Sequence, residues 1–255
     1  MTAGDKDRVL VTLNQGVAHV QLNRPDKLNA LDAEMFDALI DTGTRLKTLP
    51  GLRAVVLSGV GKAFCAGLDM GRFQAMASGA DSVASLRLGP RTHGACNVPQ
   101  YAALVWRSLP VPVIAAVHGV ALGGGLQIAL GADLRIVTPD SKLGLLEVRW
   151  GIIPDMGAFI VLPELMPADR IRDLAYSGRT VSGTEAVSVS RYCRSASRAH
   201  GWRLARIDVA SSAALIAPAL PMASVPTGMP AGICTIDSRS EEHTSELQSP
   251  YVISY

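Results

Sequence analysis

Three consecutive glycines, Gly123, Gly124 and Gly125, constrain the fold of this chain more than any other feature. They follow an apolar run over residues 112–122 and precede a helix-like stretch over residues 126–130. Without Cβ atoms the main chain can approach a ligand closely, and a helix that begins there adds unpaired N–H groups and a positive dipole end. The loop therefore predicts a backbone site for an oxyanion.

The spacing of these glycines differs from that of dinucleotide-binding loops. Such loops carry a spaced G-x-G-x-x-G after the first strand of a βαβ unit, with an acidic residue about 20 positions further on. A second interpretation is that the glycines only allow a helix to pack closely on a sheet. The choice between the two depends on the other segments of the chain.

Hydrophobic patterning indicates strands that alternate with helices. Alternation around Asn14-Gln15-Gly16 predicts a β-hairpin between residues 10–13 and 17–22. Asp32 is placed to cap a helix whose apolar positions repeat at helical spacing, namely Met35, Phe36, Leu39, Ile40 and Leu46. Short apolar runs predict buried strands at residues 54–57, 113–117 and 134–137. This order predicts an α/β architecture in which helices cover a sheet.

Composition excludes several classes of function. The 255 residues are 48% hydrophobic with a net charge of +2, and Lys and Arg are scattered, so no nucleic-acid partner is expected. The four cysteines lack metal-ligand spacing, so no metal site is expected either. Residues 1–8 do not read as a signal peptide, and prolines and glycines interrupt the uncharged stretch 108–132. We therefore expect a cytoplasmic protein that does not span a membrane.

Five short motifs carry most of the functional information. They are NRPDKLNAL at residues 23–31, KAFCAGLD at 62–69, HGVALGGG at 118–125, IPD at 153–155 and SGR at 177–179. In order and spacing they resemble the enoyl-CoA hydratase/isomerase (crotonase) family over residues 8–187. The resemblance implies a crotonase-like α/β fold of repeated ββα units with helices covering the sheet. It also implies an enzyme of fatty acid metabolism that acts on acyl-CoA thioesters.

The resemblance further implies where the thioester binds. Its carbonyl oxygen would lie between the backbone N–H groups of Leu68 and Gly124, which stabilise enolate-like charge by about 3 kcal/mol per donor. The coenzyme A part of the substrate would lie against Lys27, Leu28, Ala30, Ala66, Gly67, Asp69 and Gly123. Lys27 is equally consistent with a solvated surface lysine. No separate cofactor is implied, because coenzyme A belongs to the substrate.

The acid–base residues depart from the hydratase pattern. Hydratases of this family use two glutamates, one two residues after the glycine triplet and one about 20 residues later. Here Gln127 occupies the first position and Glu147 the second. An amide does not take up or release a proton near neutral pH, so Gln127 is no general base, although it can hold a water or substrate by hydrogen bonds. A single carboxylate favours double-bond isomerisation by Glu147.

Asp155 is the second candidate for proton transfer. It follows Glu147 by eight residues, a spacing that resembles the proton-shuttling pair of the dienoyl-CoA isomerases. The alternative is that Asp155 only caps a helix after Pro154. Two other functions stay open for the whole chain. One is hydration by Glu147 with a water held by Gln127, which is lyase chemistry, and the other is non-catalytic binding of acyl-CoA.

The C-terminal quarter does not continue the resemblance. Residues 188–238 are rich in Ser, Arg, Ala and Pro and lack lysine, which indicates an out-of-frame segment in place of the family's C-terminal helices. Residues 239–255 look like a translated sequencing adapter. We therefore treat residues 1–187 as the acyl-CoA-binding core. Family members form homotrimers or dimers of trimers, and this C-terminus lacks the helices that pack them.

Overall fold

The structure, a computed structural model, describes residues 7–71 and 90–190 together with the backbone of residues 193–195. Its strands are β1 (Val9–Asn14), β2 (Val17–Leu22), β3 (Ala54–Gly59), β4 (Val113–Val117), β5 (Val120–Leu122), β6 (Leu134–Val137), β7 (Lys142–Gly144), β8 (Val181–Ser182) and β9 (Cys193–Ser195). The larger sheet has the order β1-β2-β3-β4-β6-β9, and the smaller one β5-β7-β8. In the larger sheet β1 and β2 are antiparallel, and each of the other neighbouring pairs is parallel.

Helices connect these strands. They are α1 (Ala33–Lys47), α2 (Val98–Leu104), α3 (Gly124–Leu130), α4 (Ala158–Leu165), α5 (Ala168–Ser177) and α6 (Gly183–Val189), with short 3₁₀ helices at Pro25–Lys27, Val105–Ser108 and Glu147–Trp150. Parallel strands joined by helical segments are the arrangement that the sequence predicts. The predicted α/β class is confirmed.

The segment 9–47 shows why sequence signals that act within one hairpin or one helix predict structure correctly. Gln15 and Gly16 both have positive φ (48° and 79°), as the turn of a tight hairpin requires. Leu13 pairs with Ala18 and Asn14 with Val17, so the predicted hairpin is confirmed. The carboxylate of Asp32 accepts a hydrogen bond from the backbone N–H of Met35 at 2.8 Å and caps α1 as predicted.

The main core lies between the larger sheet and the helices that cover it. The buried face of α1 supplies Met35, Phe36, Leu39, Ile40 and Leu46 to this core. Sheet residues that face them include Val20, Leu22, Val55 and Leu57, all essentially inaccessible to solvent. Burial of large apolar side chains contributes about 1.5–3 kcal/mol each. This core fixes the frame on which the loops that follow the strands are held.

Two isolated bridges bring the three longest sequence motifs together. Leu31 pairs with Leu68, and Cys65 pairs with Ala121 on β5. The chain leaves β4, turns at Gly119 with φ 62°, runs along β5 and enters α3 through Gly123 with φ 51°. The segments 23–31, 62–69 and 118–125 therefore meet at one edge of the fold.

One group of exposed apolar residues lies between positions 150 and 160. It consists of Trp150, Ile153, Phe159 and Ile160, whose side chains are 50%, 70%, 46% and 66% exposed. We call these four residues the apolar face. Large apolar side chains that are exposed and close in sequence are candidates for an interaction surface.

Two expectations concern the rest of the chain. Apart from residues 188–190 and the backbone of 193–195, the segments 188–238 and 239–255 lie outside the described residues. Where the chain is described, none of its helices has the length and hydrophobicity that a bilayer crossing requires.

Candidate active site

The loop over residues 24–31 is held rigidly against the segment that follows β3. Asn29 is fully buried and has φ 57°, a left-handed conformation that its neighbour Leu28 shares. Its Oδ1 accepts from the backbone N–H of Arg24 at 2.7 Å, and its Nδ2 donates to the carbonyls of Val60 and Ala63 at 3.0 and 2.8 Å. These bonds stabilise a backbone conformation that is otherwise costly outside glycine.

The backbone of Leu68 points one N–H away from this loop. Leu31 donates to the carbonyl of Gly67 at 2.8 Å, and Asp69 donates to the carbonyl of Leu31 at 3.0 Å. In such a parallel bridge the N–H of the residue between the two bonds faces the opposite side. Among the described residues, the N–H of Leu68 has no acceptor.

Gly124 presents a second free N–H at the start of α3. The preceding amide, that of Gly123, donates to the carbonyl of Gly144 at 2.8 Å, which fixes the loop. The N–H of Gly124 is in the first turn, where no intrahelical acceptor exists, and no bond from it occurs within the described part of the chain. A Cβ placed on Gly67 would lie 3.7 Å from Gly124 N and 2.6 Å from the carbonyl oxygen of Leu122. The two loops that carry the free amides are therefore in direct contact.

Glu147 lies beside the glycine loop and is only 7% exposed. A Cβ on Gly123 would lie 3.4 Å from its Oε1. Burial raises the pKa of Glu147, and the charge of Asp155 raises it further, whereas its own backbone N–H and the amide of Gln127 act in the opposite direction. Its Oε2 is buried and has no hydrogen-bond partner within the described ranges. This oxygen is the one available for proton transfer.

The side-chain oxygen of Gln127 accepts two hydrogen bonds from the main chain. The side chain is 2% exposed and lies on α3. Its Nε2 donates to Oε1 of Glu147 at 2.8 Å, and its Oε1 accepts from the backbone N–H groups of Met156 and Ala158 at 2.9 and 3.1 Å. Both lone pairs of the amide oxygen are thus occupied. Gln127 connects the carboxylate of Glu147 to the turn that precedes α4.

Asp155 belongs to that same turn. Its backbone carbonyl accepts from Nε2 of Gln100 at 3.1 Å, which links the turn to α2. The carboxyl is accessible at the surface, yet the surrounding protein removes part of its water, and this desolvation raises the pKa of Asp155 against the effect of its own backbone N–H. The interpretation of Asp155 as a helix cap is wrong, because α4 has Gly157 at its N-cap position.

The residues expected near coenzyme A lie in two adjacent strips. Lys27 and Leu28 are exposed, Ala30 and Gly67 are buried, and Ala66 is half-buried. The N–H of Ala66 donates to the carbonyl of Leu28 at 3.0 Å, so the strips run side by side. Asp69 lies in the second strip, but its carboxylate forms an ion pair with Arg24.

Two supporting residues were missed as functional candidates. Arg24 and Asn29 are both in the first motif, and both tie it to the second motif through side-chain hydrogen bonds. Their place in the motif at residues 23–31 was the available signal, but the sequence does not show which side chains of a motif point into the protein. In the described ranges no cluster of three His, Cys, Asp or Glu side chains could hold a metal ion.

Comparison with known proteins agrees with this geometry. A family model described as enoyl-CoA hydratase/isomerase matches residues 12–190. Over 185 residues the chain is 38% identical to the Bacillus subtilis protein YngF, described as an enoyl-CoA hydratase/isomerase, covering 72% of this chain and 67% of that protein. It is 30% identical to the peroxisomal Delta(3,5)-Delta(2,4)-dienoyl-CoA isomerase of Arabidopsis thaliana, covering 68% and 63% of the two chains.

A solved structure with the same arrangement is the enoyl-CoA hydratase of Bacillus anthracis. Its TM-score with this chain is 0.69 at 29% sequence identity, and the superposition covers 81% of this chain and 76% of that one. The family-model match over residues 12–190 includes the segments that carry Leu68, Gly124 and Glu147.

Proposed function

Because the chain belongs to the enoyl-CoA hydratase/isomerase family, we propose that it isomerises the double bond of an enoyl- or dienoyl-CoA thioester. The observation that carries the proposal is the hydrogen bond from Nε2 of Gln127 to Oε1 of Glu147 at 2.8 Å. The buried carboxylate of Glu147 is then the acid–base group, and Gln127 places an amide at the position where hydratases of the family carry their second carboxylate. One carboxylate is sufficient to move a proton along an acyl chain.

We propose that the amides of Leu68 and Gly124 form the oxyanion hole. Both N–H groups lack an acceptor among the described residues, and the loops that carry them are in contact. The carbonyl oxygen of the thioester would accept from both. Two fixed backbone donors stabilise negative charge on that oxygen more in the transition state than in the ground state.

The proton transfer then balances without any redox partner. Oε2 of Glu147 takes a proton from Cα or Cγ, the C–H bonding electrons move into the conjugated system, and negative charge collects on the thioester oxygen. The same carboxyl group returns the proton at the other carbon, and the double bond changes position. The raised pKa of Glu147 suits this role, because it brings the carboxyl closer to the pH at which it must both accept and donate. The chemistry needs no cofactor beyond the coenzyme A of the substrate.

For a dienoyl substrate the proton must reach a more distant carbon. We propose Asp155 as the second proton carrier in that case. Its charge helps to raise the pKa of Glu147, and Gln127 binds both Glu147 and the backbone of Met156, which follows Asp155. The similarity to the dienoyl-CoA isomerase of Arabidopsis thaliana supports this extension.

Hydration is the second candidate, because the solved structure of Bacillus anthracis is that of an enoyl-CoA hydratase. Hydration adds the OH of a water to Cβ and a proton to Cα, so the base must take one proton from the water and an acid must deliver one to Cα. The other hydrogen stays on the product hydroxyl, and a second residue must orient the attacking water by accepting a hydrogen bond from it. The oxygen of Gln127 cannot accept this bond, since Met156 and Ala158 occupy that oxygen. Because the oxygen of Gln127 is occupied, isomerisation is favoured over hydration. Gln127 also holds the buried carboxylate of Glu147 in place, and a positioned base favours catalysis over non-catalytic binding of acyl-CoA.

We also propose that the core assembles as a homotrimer or a dimer of trimers, as its family suggests, although residues 188–238 do not continue the family's C-terminal helices. The apolar face lies within 13 residues of Glu147 along the chain and offers apolar surface for a neighbouring protomer to cover. The CoA-binding strips, residues 27–30 and 66–69, lie at the edge where the three motifs meet. Sedimentation of the purified chain at several concentrations tests the assembly.

The test of the function uses three thioesters and one matched pair of variants. The wild-type chain should turn over 3-enoyl-CoA or 3,5-dienoyl-CoA faster than it hydrates 2-enoyl-CoA. Glu147→Gln should lower turnover by about 10²- to 10⁴-fold while the thioester still binds. Glu164→Gln is the control. Glu164 lies on α4 and forms an exposed ion pair with Arg107, so this variant should leave turnover unchanged. Full activity of Glu147→Gln would contradict the assignment of the base, and faster hydration than isomerisation would favour the second candidate.

A further inference from the structure

The guanidinium of Arg24 joins the first two motifs, and it binds residues on both sides of the Leu31–Leu68 bridge. Its Nη1 donates to the carbonyl of Ala30 at 3.2 Å and to Oδ2 of Asp69. The Arg24 and Asp69 side chains are only 17% and 18% exposed. An ion pair shielded from water in this way is stronger than one at the surface.

The segment that carries Leu68 is anchored on both sides of this residue. Leu31 bonds to the carbonyl of Gly67 and to the N–H of Asp69, so residues on both sides of Leu68 are anchored to one partner. Oδ1 of Asp69 also accepts from the N–H of Gly71 at 2.8 Å. Arg24 therefore holds the C-terminal end of the bridge through Asp69 and the facing strip through Ala30.

We infer that Arg24 and Asp69 are positioning residues that set the direction of the Leu68 N–H toward the thioester oxygen. The inference rests on the proposed function, since it assumes that this amide is an oxyanion donor. It assigns Asp69 a role different from contact with coenzyme A. A donor displaced by less than an ångström loses much of its effect on a developing charge, because the hydrogen bond weakens steeply with distance and angle.

The charge of Asp69 persists at neutral pH. Burial acts to raise its pKa, but the hydrogen bonds from Arg24 and from the N–H of Gly71 together with the nearby positive charges hold the pKa below its ordinary value. The ion pair is thus present throughout the pH range in which Glu147 works.

A matched control exists in the same charge cluster. Arg8 donates to Asp32 at 2.8 Å and to Glu34, and the structure gives it no bond to Asp69 or Ala30 within the described residues. Arg24 also approaches Asp32, with Nε 3.6 Å from Oδ2. Arg8→Gln therefore removes one arginine from the cluster and leaves the bridge around Leu68 intact.

The experiment compares Arg24→Gln with Arg8→Gln in the full-length chain. The probe is a saturated acyl-CoA labelled with ¹³C at the thioester carbonyl, which binds but has no double bond to move. Infrared difference spectra measure the shift of the C=O band on binding, and steady-state assays with the enoyl thioester give kcat and KM. We expect wild type and Arg8→Gln to shift the band to lower frequency. Arg24→Gln should lose most of the shift and about 10- to 100-fold in kcat, with less than about a threefold change in KM.

A second pair of variants keeps the inference testable if Arg24→Gln does not fold. Asp69→Asn removes the other charge of the ion pair while it keeps the shape of the side chain, and Glu34→Gln is its control at the far end of the cluster. Asp69→Asn should lose part of the band shift, and Glu34→Gln none. If Arg24→Gln and Asp69→Asn match their controls while wild type shows the shift, the positioning role is wrong. If wild type shows neither shift nor turnover, the proposed function is wrong and the inference falls with it.

Discussion

Replacement of Gln127 by methionine removes three hydrogen bonds at one buried position and keeps the volume almost constant. The side chain is 2% exposed, so its packing contacts survive in the variant. The backbone N–H groups of Met156 and Ala158 lose their acceptor. Each buried donor left without a partner costs about 1–3 kcal/mol, so we expect the free energy of unfolding to fall by about 2–6 kcal/mol.

The same substitution should move the pH dependence of catalysis. The hydrogen bond from Gln127 lowers the pKa of Glu147, so its loss raises that pKa further. A base must be ionised to accept a proton, and the ascending limb of the pH profile of kcat/KM should therefore shift to higher pH. Urea unfolding followed by circular dichroism gives the stability, and initial rates across pH give the profile.

Gln100→Met is the control for this prediction. Gln100 also binds the turn before α4, through the carbonyl of Asp155 at 3.1 Å, but its side chain has no bond to Glu147 among the described contacts. We expect a smaller loss of stability and an unmoved pH limb. The reasoning is refuted if Gln127→Met loses less than about 1 kcal/mol or if its pH limb coincides with that of the wild type.

Two further predictions concern pH and glycine. Burial raises the folded pKa of Glu147 above 4.5, so its contribution to stability is complete below that pH and is lost as pH rises through the folded value. Unfolding free energies measured across that window should fall in wild type and fall less in Glu147→Gln, and equal slopes in these two proteins would contradict this. Gly67→Ala should lose about 2–4 kcal/mol of stability, because a Cβ there lies 2.6 Å from the carbonyl of Leu122 at φ 91°. Gly51→Ala has the strained φ of 74° with no atom within 4 Å, and an equal loss there would show that φ alone is responsible.

Much of the fold could be predicted because its signals are local. Hydrophobic alternation and a turn with positive φ place the first hairpin, and the spacing of apolar residues on α1 repeats within one element. The crotonase-like class of the fold agrees with the solved structures it resembles. The three-residue strands β5 and β7 were not predicted, because a period of two is not detectable in three residues.

The site was predictable only in part. Glu147 and Gln127 could be named because the family resemblance assigns their positions after the glycines, but the partners of the Gln127 oxygen are main-chain N–H groups. Any residue other than proline supplies such a donor, so the sequence carries no mark of it. The ion pair of Arg24 and Asp69 joins positions 45 residues apart, and no local pattern connects them.

The apolar face has a thermodynamic consequence for every measurement made on this chain. A protomer whose apolar face is covered by a second copy leaves the pool that can unfold alone, so mass action enters the unfolding equilibrium. Each tenfold dilution then reduces the free energy that association adds to the stability of a protomer by about 1.4 kcal/mol. In the proposed assembly, which would cover Trp150 and Ile160 (50% and 66% exposed), the total protein concentration is therefore a variable of stability alongside pH and denaturant.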